Sequence, residues 1–332
     1  MTRIVRIRHT VQAALMTLLV TTSADASGAE PWELTPYRIK LLVAVEAAGG
    51  LPRDIESVLA QDLVARGAAV VGGAWRVDAS AAPAELRHKL IHAIDTVSAN
   101  EIAGSAGEYD KVILVGALQE SGKVLIQARE LDLVTELWNV VVRRDAPQAE
   151  LVPQTAFAAV LQAFAPLARI ESANGETATL RLRAGGLARR DRRLPALAPG
   201  VAFRPVLVKS DASGTLTRGS AEALANVYLS PTNTRGAVVT CRVDAGAAAP
   251  LIPEYHPHRQ RLALAVSPSS ESTQLRLVSI GDPPAPLEGL DVLDRGELLG
   301  RSDRRGLVTI APDAEAVRAL TIRRGERTLA TL

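Results

Sequence analysis

His88 and His92, in "RHKLIHAID", stand four residues apart, and on a helix they would share one face as a two-imidazole grip for a metal ion. A zinc-peptidase helix sets a glutamate beside its first histidine as general base. Here that place holds Lys89, which supplies no base and repels a cation, so the pair reads as a solvated helix edge. His256 and His258, in "PEYHPHRQ" with Glu254 close by, are the better metal candidates, because alternation in an extended strand would turn both rings to one side. Pro253 and Pro257 read instead as an exposed linker, and no metal or other cofactor is expected. "ARRDRRLP" gathers Arg189, Arg190, Arg192 and Arg193 around Asp191. This is a solvated loop or, as the sharper reading, a ligand site for carboxylates or sulfates, which arginine binds with two parallel donors. The one cysteine, Cys241, lies in the alternating run "GAVVTCRVD", so no disulfide within the chain can form and a buried, inert thiol is expected. Ser105 and Ser220 sit near acids without the G-x-S-x-G elbow, and "VGGAW" is too short for a phosphate loop. Glu130 and Asp132 share one strand face near a turn, a common pattern on solvated sheets, with no cleft implied between them. No residue is therefore expected to be catalytic.

The start of the chain gives an address. Arg3, Arg6 and Arg8 precede the apolar stretch "VQAALMTLLV", and Ala24 and Ala26 follow at the spacing a signal peptidase reads, with Ser27 and Ala29 as an alternative. Ten apolar residues are too few to span a bilayer, so residues 1–26 read as an export signal and no stable membrane insertion is expected. A periplasmic or secreted location follows from that reading. The whole chain of 332 residues is formally +2 at pH 7, and its first 26 carry three arginines against Asp25, so the remainder is formally neutral. That balance points away from nucleic acid or an acidic membrane surface as partner. Hydrophobic residues make up 47% but aromatics only 3%, so the cores must be mostly aliphatic.

Periodicity places elements around these groups. A strand is expected from about Arg38 to Val45, then a helix with Ile55, Val58, Leu59, Leu63 and Val64 at helical spacing and Gly67 as its stop. "AAVVGGAWRVDA" reads as a strand bulged at Gly72 and Gly73, "APAELRHKLIHAID" as a second helix, and "KVILVGAL" as a strand covered on both sides. The turn Glu120 to Gly122 leads into a strand in which Val124, Ile126 and Ala128 alternate with Leu125, Gln127 and Arg129. A further strand, Leu137 to Val142, and a helix carrying Phe157, Val160, Leu161 and Phe164 close the unit. The order β-α-β-α-β-β-β-α is an α/β sandwich with helices on one face of a mixed sheet. From Glu171 onward the pattern is strands alone, beginning with "ETATLRLRAGGL", at the spacing of a small antiparallel barrel or sandwich. The segment "GDPPAPLEG" precedes a third set of short strands around the turn "SDRRG", and this last unit reads as a β-sandwich, complete or truncated. The expected class is α+β and multidomain: a signal over 1–26, an α/β domain over 36–168, an antiparallel β domain over 171–280 and a β-sandwich over 286–332.

"DKVILVGALQESGKVLIQARELDLVTELW" runs an apolar strand ending in Gly116, a polar turn, an amphipathic strand ending at Asp132, a turn at Thr135 and a third strand. That pattern, over residues 36–168, resembles the N-terminal domain of Tol-system periplasmic proteins and the periplasmic domain of curli-secretion lipoproteins, although no lipid-attachment cysteine follows the signal. "ELLGRSDRRGLVTI", with Ser302, Asp303 and Gly306, is similar to the carboxypeptidase-regulatory or transthyretin-like β-sandwich. As a whole the chain resembles secreted bacterial multidomain proteins. The resemblances imply assembly, adhesion or scaffolding, and the expected function is a non-catalytic envelope interaction module with a protein partner, or alternatively a carbohydrate- or peptidoglycan-binding module. N-terminal sequencing of the exported protein should begin at Ser27, after cleavage at Ala26; an intact Met1 in the cell envelope would overturn the address.

Overall fold

The computed structural model describes residues 31–46, 54–211, 215–245, 251, 258–268, 272–313 and 317–331. Residues 1–26, and with them the cleavage position Ala26, lie outside the described residues, as does His256. A short helix α1 (Pro31–Leu34) leads into β1 (Tyr37–Val45), α2 (Ile55–Arg66), β2 (Trp75–Ala81), α3 (Ala84–His92) and α4 (Ala99–Ala106). Then come β3 (Lys111–Glu120), β4 (Lys123–Asp132), β5 (Leu137–Trp138), β6 (Val142–Ala146) and α5 (Val152–Ala163). These strands form one mixed sheet in the order β2-β1-β3-β4-β5, with β6 also paired to β4. β1 is parallel to both β2 and β3, while β3 and β4 form an antiparallel hairpin.

Helices cover both faces of this sheet, not one as the sequence pattern implies. Ile39, Leu41 and Val43 of β1 and Ile113 and Val115 of β3 pack with α2 and α5, and Leu42, Ala44, Val112 and Leu114 pack with α3 and α4. β1 and β3 bury both faces, hence their unbroken apolar runs. Helix α4 falls in a polar stretch without a conspicuous apolar stripe. It is started by a capping box in which the Ser98 side chain takes a backbone N–H and Glu101 reaches back to the Ser98 N–H at 2.9 Å. Gly67 does not stop α2, for its φ of −53° is helical and the chain runs on through a π-turn, Gly67–Val71. β2 consequently starts only at Trp75. Gly72, at φ 71°, takes the left-handed conformation that turns the chain there, and a side chain on it would press against Arg190. At Gly116 the reason is close approach: a Cβ there would stand 1.8 Å from the Leu90 carbonyl oxygen, so only glycine lets α3 seat on β3. The third strand of the meander is broken into β5 and β6 just after buried Asn139, whose N–H still pairs with the Glu130 carbonyl but whose side chain donates through Nδ2 to the Ala163 carbonyl at the end of α5 and accepts from the Val140 N–H, both at 2.9 Å.

The second unit is a barrel. β7 (Leu167–Ala173), β8 (Thr177–Leu182), β9 (Ala202–Lys209), the two-residue β10 (Glu222–Ala223), β11 (Val227–Arg235), β12 (Val238–Ala245) and β13 (Arg259–Val266) lie in the order β10-β9-β11-β12-β8-β7-β13. Pairing of β13 back onto β9 closes six of them into a ring, which leaves those strands without free edges. Alternation along β8 is as the pattern implies, with Ala178, Leu180 and Leu182 inward. The third unit has β14 (Thr273–Arg276), β15 (Asp291–Asp294), β16 (Glu297–Arg301), β17 (Leu307–Ile310), β18 (Leu320–Arg324) and β19 (Arg327–Thr331), in a two-stranded and a four-stranded sheet. Its core is small: Leu277, Leu290, Val292, Val308, Ile310 and Ile322. The turn that carries the β-sandwich resemblance is built as its residues require, with the Asp303 carboxylate accepting from the N–H groups of Arg305 and Leu307, both at 2.8 Å, and Gly306 at φ 72°.

One buried cluster runs without a break from Tyr37 in β1 to Ala265 in β13. The α/β unit and the barrel therefore share a core, and β7 enters the barrel at Leu167, with only three residues between it and the end of α5. The third unit's core is a separate cluster that already includes Leu277, and β14 pairs with β17, so the exposed residues 281–286 form a loop inside this unit, between β14 and β15. Limited proteolysis of the folded protein should accordingly cut first in this exposed loop, between residues 281 and 287, leaving the two larger units together on one fragment that ends with β14; early cleavage near residue 170 would show that the shared core does not hold them.

Candidate functional site at the junction of sheet and barrel

Glu130 and Asp132 do not lie on a solvated sheet surface. They continue the inward face that begins with Val124, Ile126 and Ala128, and at the end of β4 that face meets the barrel. Lys111 opens β3 directly across from Asp132. Its side chain is fully buried, and its Nζ donates to Glu130 Oε1 and Asp132 Oδ2, each at 2.7 Å. The remaining carboxylate oxygens also have partners: Glu130 Oε2 accepts from the Ala165 N–H at 2.9 Å, and Asp132 Oδ1 from the N–H and hydroxyl of Thr135 at 2.8 and 2.9 Å. The ammonium also faces the rings of Tyr37 and Phe164, 5.4 and 5.2 Å from their centroids. The Tyr37 hydroxyl accepts from the Leu167 N–H at 2.9 Å and donates to the Leu167 carbonyl at 3.2 Å, so the first strand of the chain is tied to the first strand of the barrel.

Burial acts on each ionisable group here. It pushes Glu130 up to about 7, against the pull of Lys111, and Tyr37 up to about 12. It works against the Lys111 ammonium too, but Asp132 and Glu130 outweigh it and raise the lysine above its ordinary value. Around this trio lie further ties. Arg183, just past β8, donates to Asp110 Oδ2 at 2.8 Å and to the Pro36 carbonyl at 3.1 Å, and its guanidinium stands over Tyr37 and Trp32. Arg181 pairs with both Glu33 and Glu171. On the exposed side, Arg218 of the barrel donates to the carbonyls of Gly107 and Tyr109, both at 2.8 Å.

A cavity of about 110 Å³ opens beside the trio. Tyr37, Trp75 and Phe164 form one wall, Leu182 to Gly185 another, and the loop from Arg189 to Val201 covers it. Two of its residues are unusual. Arg183 has an exposure of only 8%, yet its Nε has no hydrogen-bond partner. Arg189 bonds only to main-chain carbonyls, those of Leu194, Pro195 and Ala196, and burial lowers its pKa.

The candidates of the arginine-rich loop thus separate. Arg189 folds back over the cavity, whereas Arg190, Arg192 and Arg193 are exposed. His88 and His92 are exposed on α3 with ring centroids 4.8 Å apart, and Lys89 beside them is paired with Glu101. His258 stands just before β13, far along the chain from the junction residues. Among the described residues, no group of three or more His, Cys, Asp or Glu side chains is placed to hold a metal ion. Cys241 is fully buried in β12, and burial pushes its thiol up to about 12. No helix among the described residues is long and apolar enough to cross a membrane.

No family model matches the chain, and no curated protein matches it. A crystal structure of TolB from Acinetobacter baumannii is similar at 12% identity and a TM-score of 0.23, over 87% of this chain and 91% of that one. Likeness at that level defines neither the fold nor the function of this chain.

The junction generates a stability prediction. Lys111→Met would leave two carboxylates buried without a counter-charge and should cost about 3–5 kcal/mol in denaturant unfolding. Lys111, Tyr37 and Glu130 all hold their protons more tightly in the folded chain, so stability falls as pH rises through each window. For Glu130 the window runs from its ordinary 4.5 to about 7, for Tyr37 from 10.0 to about 12, and for Lys111 upward from 10.5. Tyr37→Phe should flatten the alkaline loss; an unchanged pH profile would show that the hydroxyl takes no part in it.

Proposed function

We propose that this chain is a non-catalytic, exported envelope protein that acts as a scaffold or interaction module. The observation that supports it best is the Lys111–Glu130–Asp132 trio. It is the most concentrated set of ionisable groups buried in the described residues, it sits where the sheet meets the barrel, and Glu130 holds the Ala165 N–H in the link to β7. A protein built so that two units of different architecture share one core presents a fixed composite surface, which is what recognition of a partner needs. The sequence supports the address through the charged start, the apolar stretch and the small residues at 24 and 26. The partner on this reading is another envelope protein.

A second reading has one specific observation in its favour. Arg190, Arg192 and Arg193 are exposed on a single loop, a cluster of donors suited to the carboxylates or sulfates of a cell-wall glycan. The two readings part in one experiment. Full-length mature protein used as bait in an envelope extract should retain a defined protein partner, and His88→Ala, His92→Ala, His256→Ala and Cys241→Ala should leave that retention unchanged. Binding found only in a glycan screen, and lost when Arg190, Arg192 and Arg193 are changed to Gln, would replace the protein-partner reading with the glycan one. Loss of retention in the histidine variants together with stoichiometric zinc in the wild type would overturn both.

A further inference from the structure

From the junction cavity, we infer a binding site for a small carboxylate that carries a short apolar group. This inference is independent of the identity of any envelope partner. The cavity's volume of about 110 Å³ is somewhat below that of an engineered apolar cavity of about 150 Å³ that takes benzene, so its occupant is of the size of a branched four-carbon chain or a single ring. Trp75 and Phe164, with centroids 4.7 Å apart, and Leu194 on the covering loop give that group apolar contact. Access is from the side of Gln162, Pro195 and Ala198, all exposed residues of the rim.

The polar end is set by two arginines. An orphaned buried N–H costs on the order of 1–3 kcal/mol, which an acceptor at Arg183 Nε would recover. The guanidinium of Arg183 already has Asp110 as its counter-charge, but Arg189 has none: its hydrogen bonds go to carbonyls, and among the described residues no carboxylate stands within ion-pair distance of it. A half-buried cation with only neutral partners and a neighbouring donor with no partner at all are both answered by one anionic head. A carboxylate, flat and with two acceptor oxygens, fits such donors better than an alcohol or an amide does. The same chemistry is offered by a free small acid and by the C-terminal residue of a peptide that ends in an apolar side chain.

Titration of the mature protein, followed by calorimetry and by tryptophan fluorescence, tests this. The probes are benzoate and 3-methylbutanoate, their neutral amides, and a tetrapeptide ending in leucine with a free or an amidated C-terminus. The expected result is saturable binding of one carboxylate per chain, with each amide weaker by about tenfold or more. Arg183→Lys keeps a cation beside Asp110 while deleting Nε, and Arg189→Gln alters only a loop contact; each should weaken carboxylate binding by a similar factor. Thermal melts of both variants identify any loss due to unfolding, and Arg189→Gln remains decisive should Arg183→Lys be unstable. Tighter binding of the free-ended peptide than of the small acids assigns the site to a chain terminus, and the reverse order assigns it to a metabolite-sized acid. Equal binding of acid and amide, no saturation at millimolar probe, or unchanged affinity in a folded Arg189→Gln variant would each overturn the inference.

Discussion

An ammonium removed completely from water stays charged only if opposite charge stands within a few ångströms, and Lys111 meets that condition through two carboxylates at 2.7 Å. Much of the fold's geometry follows from this one requirement. Lys111 and Asp132 face each other across the β3–β4 hairpin, and Glu130 lies one pleat further along the same face. A one-residue slip of β4 would turn both acids to the other side of the sheet and leave the lysine alone, so the trio fixes the hairpin register far more sharply than the aliphatic residues around it can. The acids in turn hold backbone: Glu130 takes the N–H of Ala165 in the link to β7, and Asp132 shapes the turn at Thr135. Apolar substitutes of equal volume would fill the same space, but they would not choose among registers in this way.

The barrel's position follows from the same end of the sheet. Strand β7 begins at Leu167, whose backbone is held on both its N–H and its carbonyl by Tyr37, the first residue of β1. Arg183 then binds Asp110 just ahead of β3, and Arg181 binds Glu33 just ahead of β1, so the far end of β8 is fastened to the entrance of the sheet as well. These contacts surround the joint. A sheet end and a closed barrel are differently curved surfaces, and the loop of residues 185–201 closes over the space that remains between them, which is the cavity.

Much of this is legible in the sequence, and the failures have physical causes. Strands β1, β3, β4 and β8 follow their apolar or alternating runs because each buries at least one complete face. Glu130 and Asp132 look solvated when judged by charge, and only parity along the strand puts them inside. Val124, Ile126 and Ala128 share their alternation, and following it two pleats further buries both acids and demands a cation on the facing strand. There Lys111 stands at the matching odd position with Ile113 and Val115. Helix α4 escapes an apolar pattern because its capping box, Ser98 with Glu101, carries more information than its apolar residues, of which only Ile102 and Ala106 are buried. The helical covering of the second sheet face is not legible from period alone, since a doubly buried strand gives the same unbroken run whichever element covers it. Arg183 and Arg189 belong to one arginine-rich stretch, yet one is buried by the barrel's end and the other by its own loop. Contacts between residues far apart in the chain, Arg183 with Asp110, Pro36 and Tyr37, decide the first of these.

The distribution of rings points to where the chain needs rigidity. Phe, Trp and Tyr number ten in the whole sequence, and four of them, Trp32, Tyr37, Trp75 and Phe164, meet at the junction. Elsewhere the cores are mostly Ala, Val, Leu and Ile, with Phe157 and Phe203 as the buried rings, and such small side chains suffice between a helix and a sheet, where they interdigitate at regular spacing. At the junction that regularity is lost. Tyr37 and Phe164 pack edge to face with centroids 5.0 Å apart, and both turn a ring toward the Lys111 ammonium. Flat, stiff side chains fill an irregular gap with few rotatable bonds, exclude water from the ion trio and still offer a polarisable face to its cation. The low aromatic content therefore does not signify a weakly packed protein: the rings are concentrated where an aliphatic side chain could not both fill the space and stand against a charge.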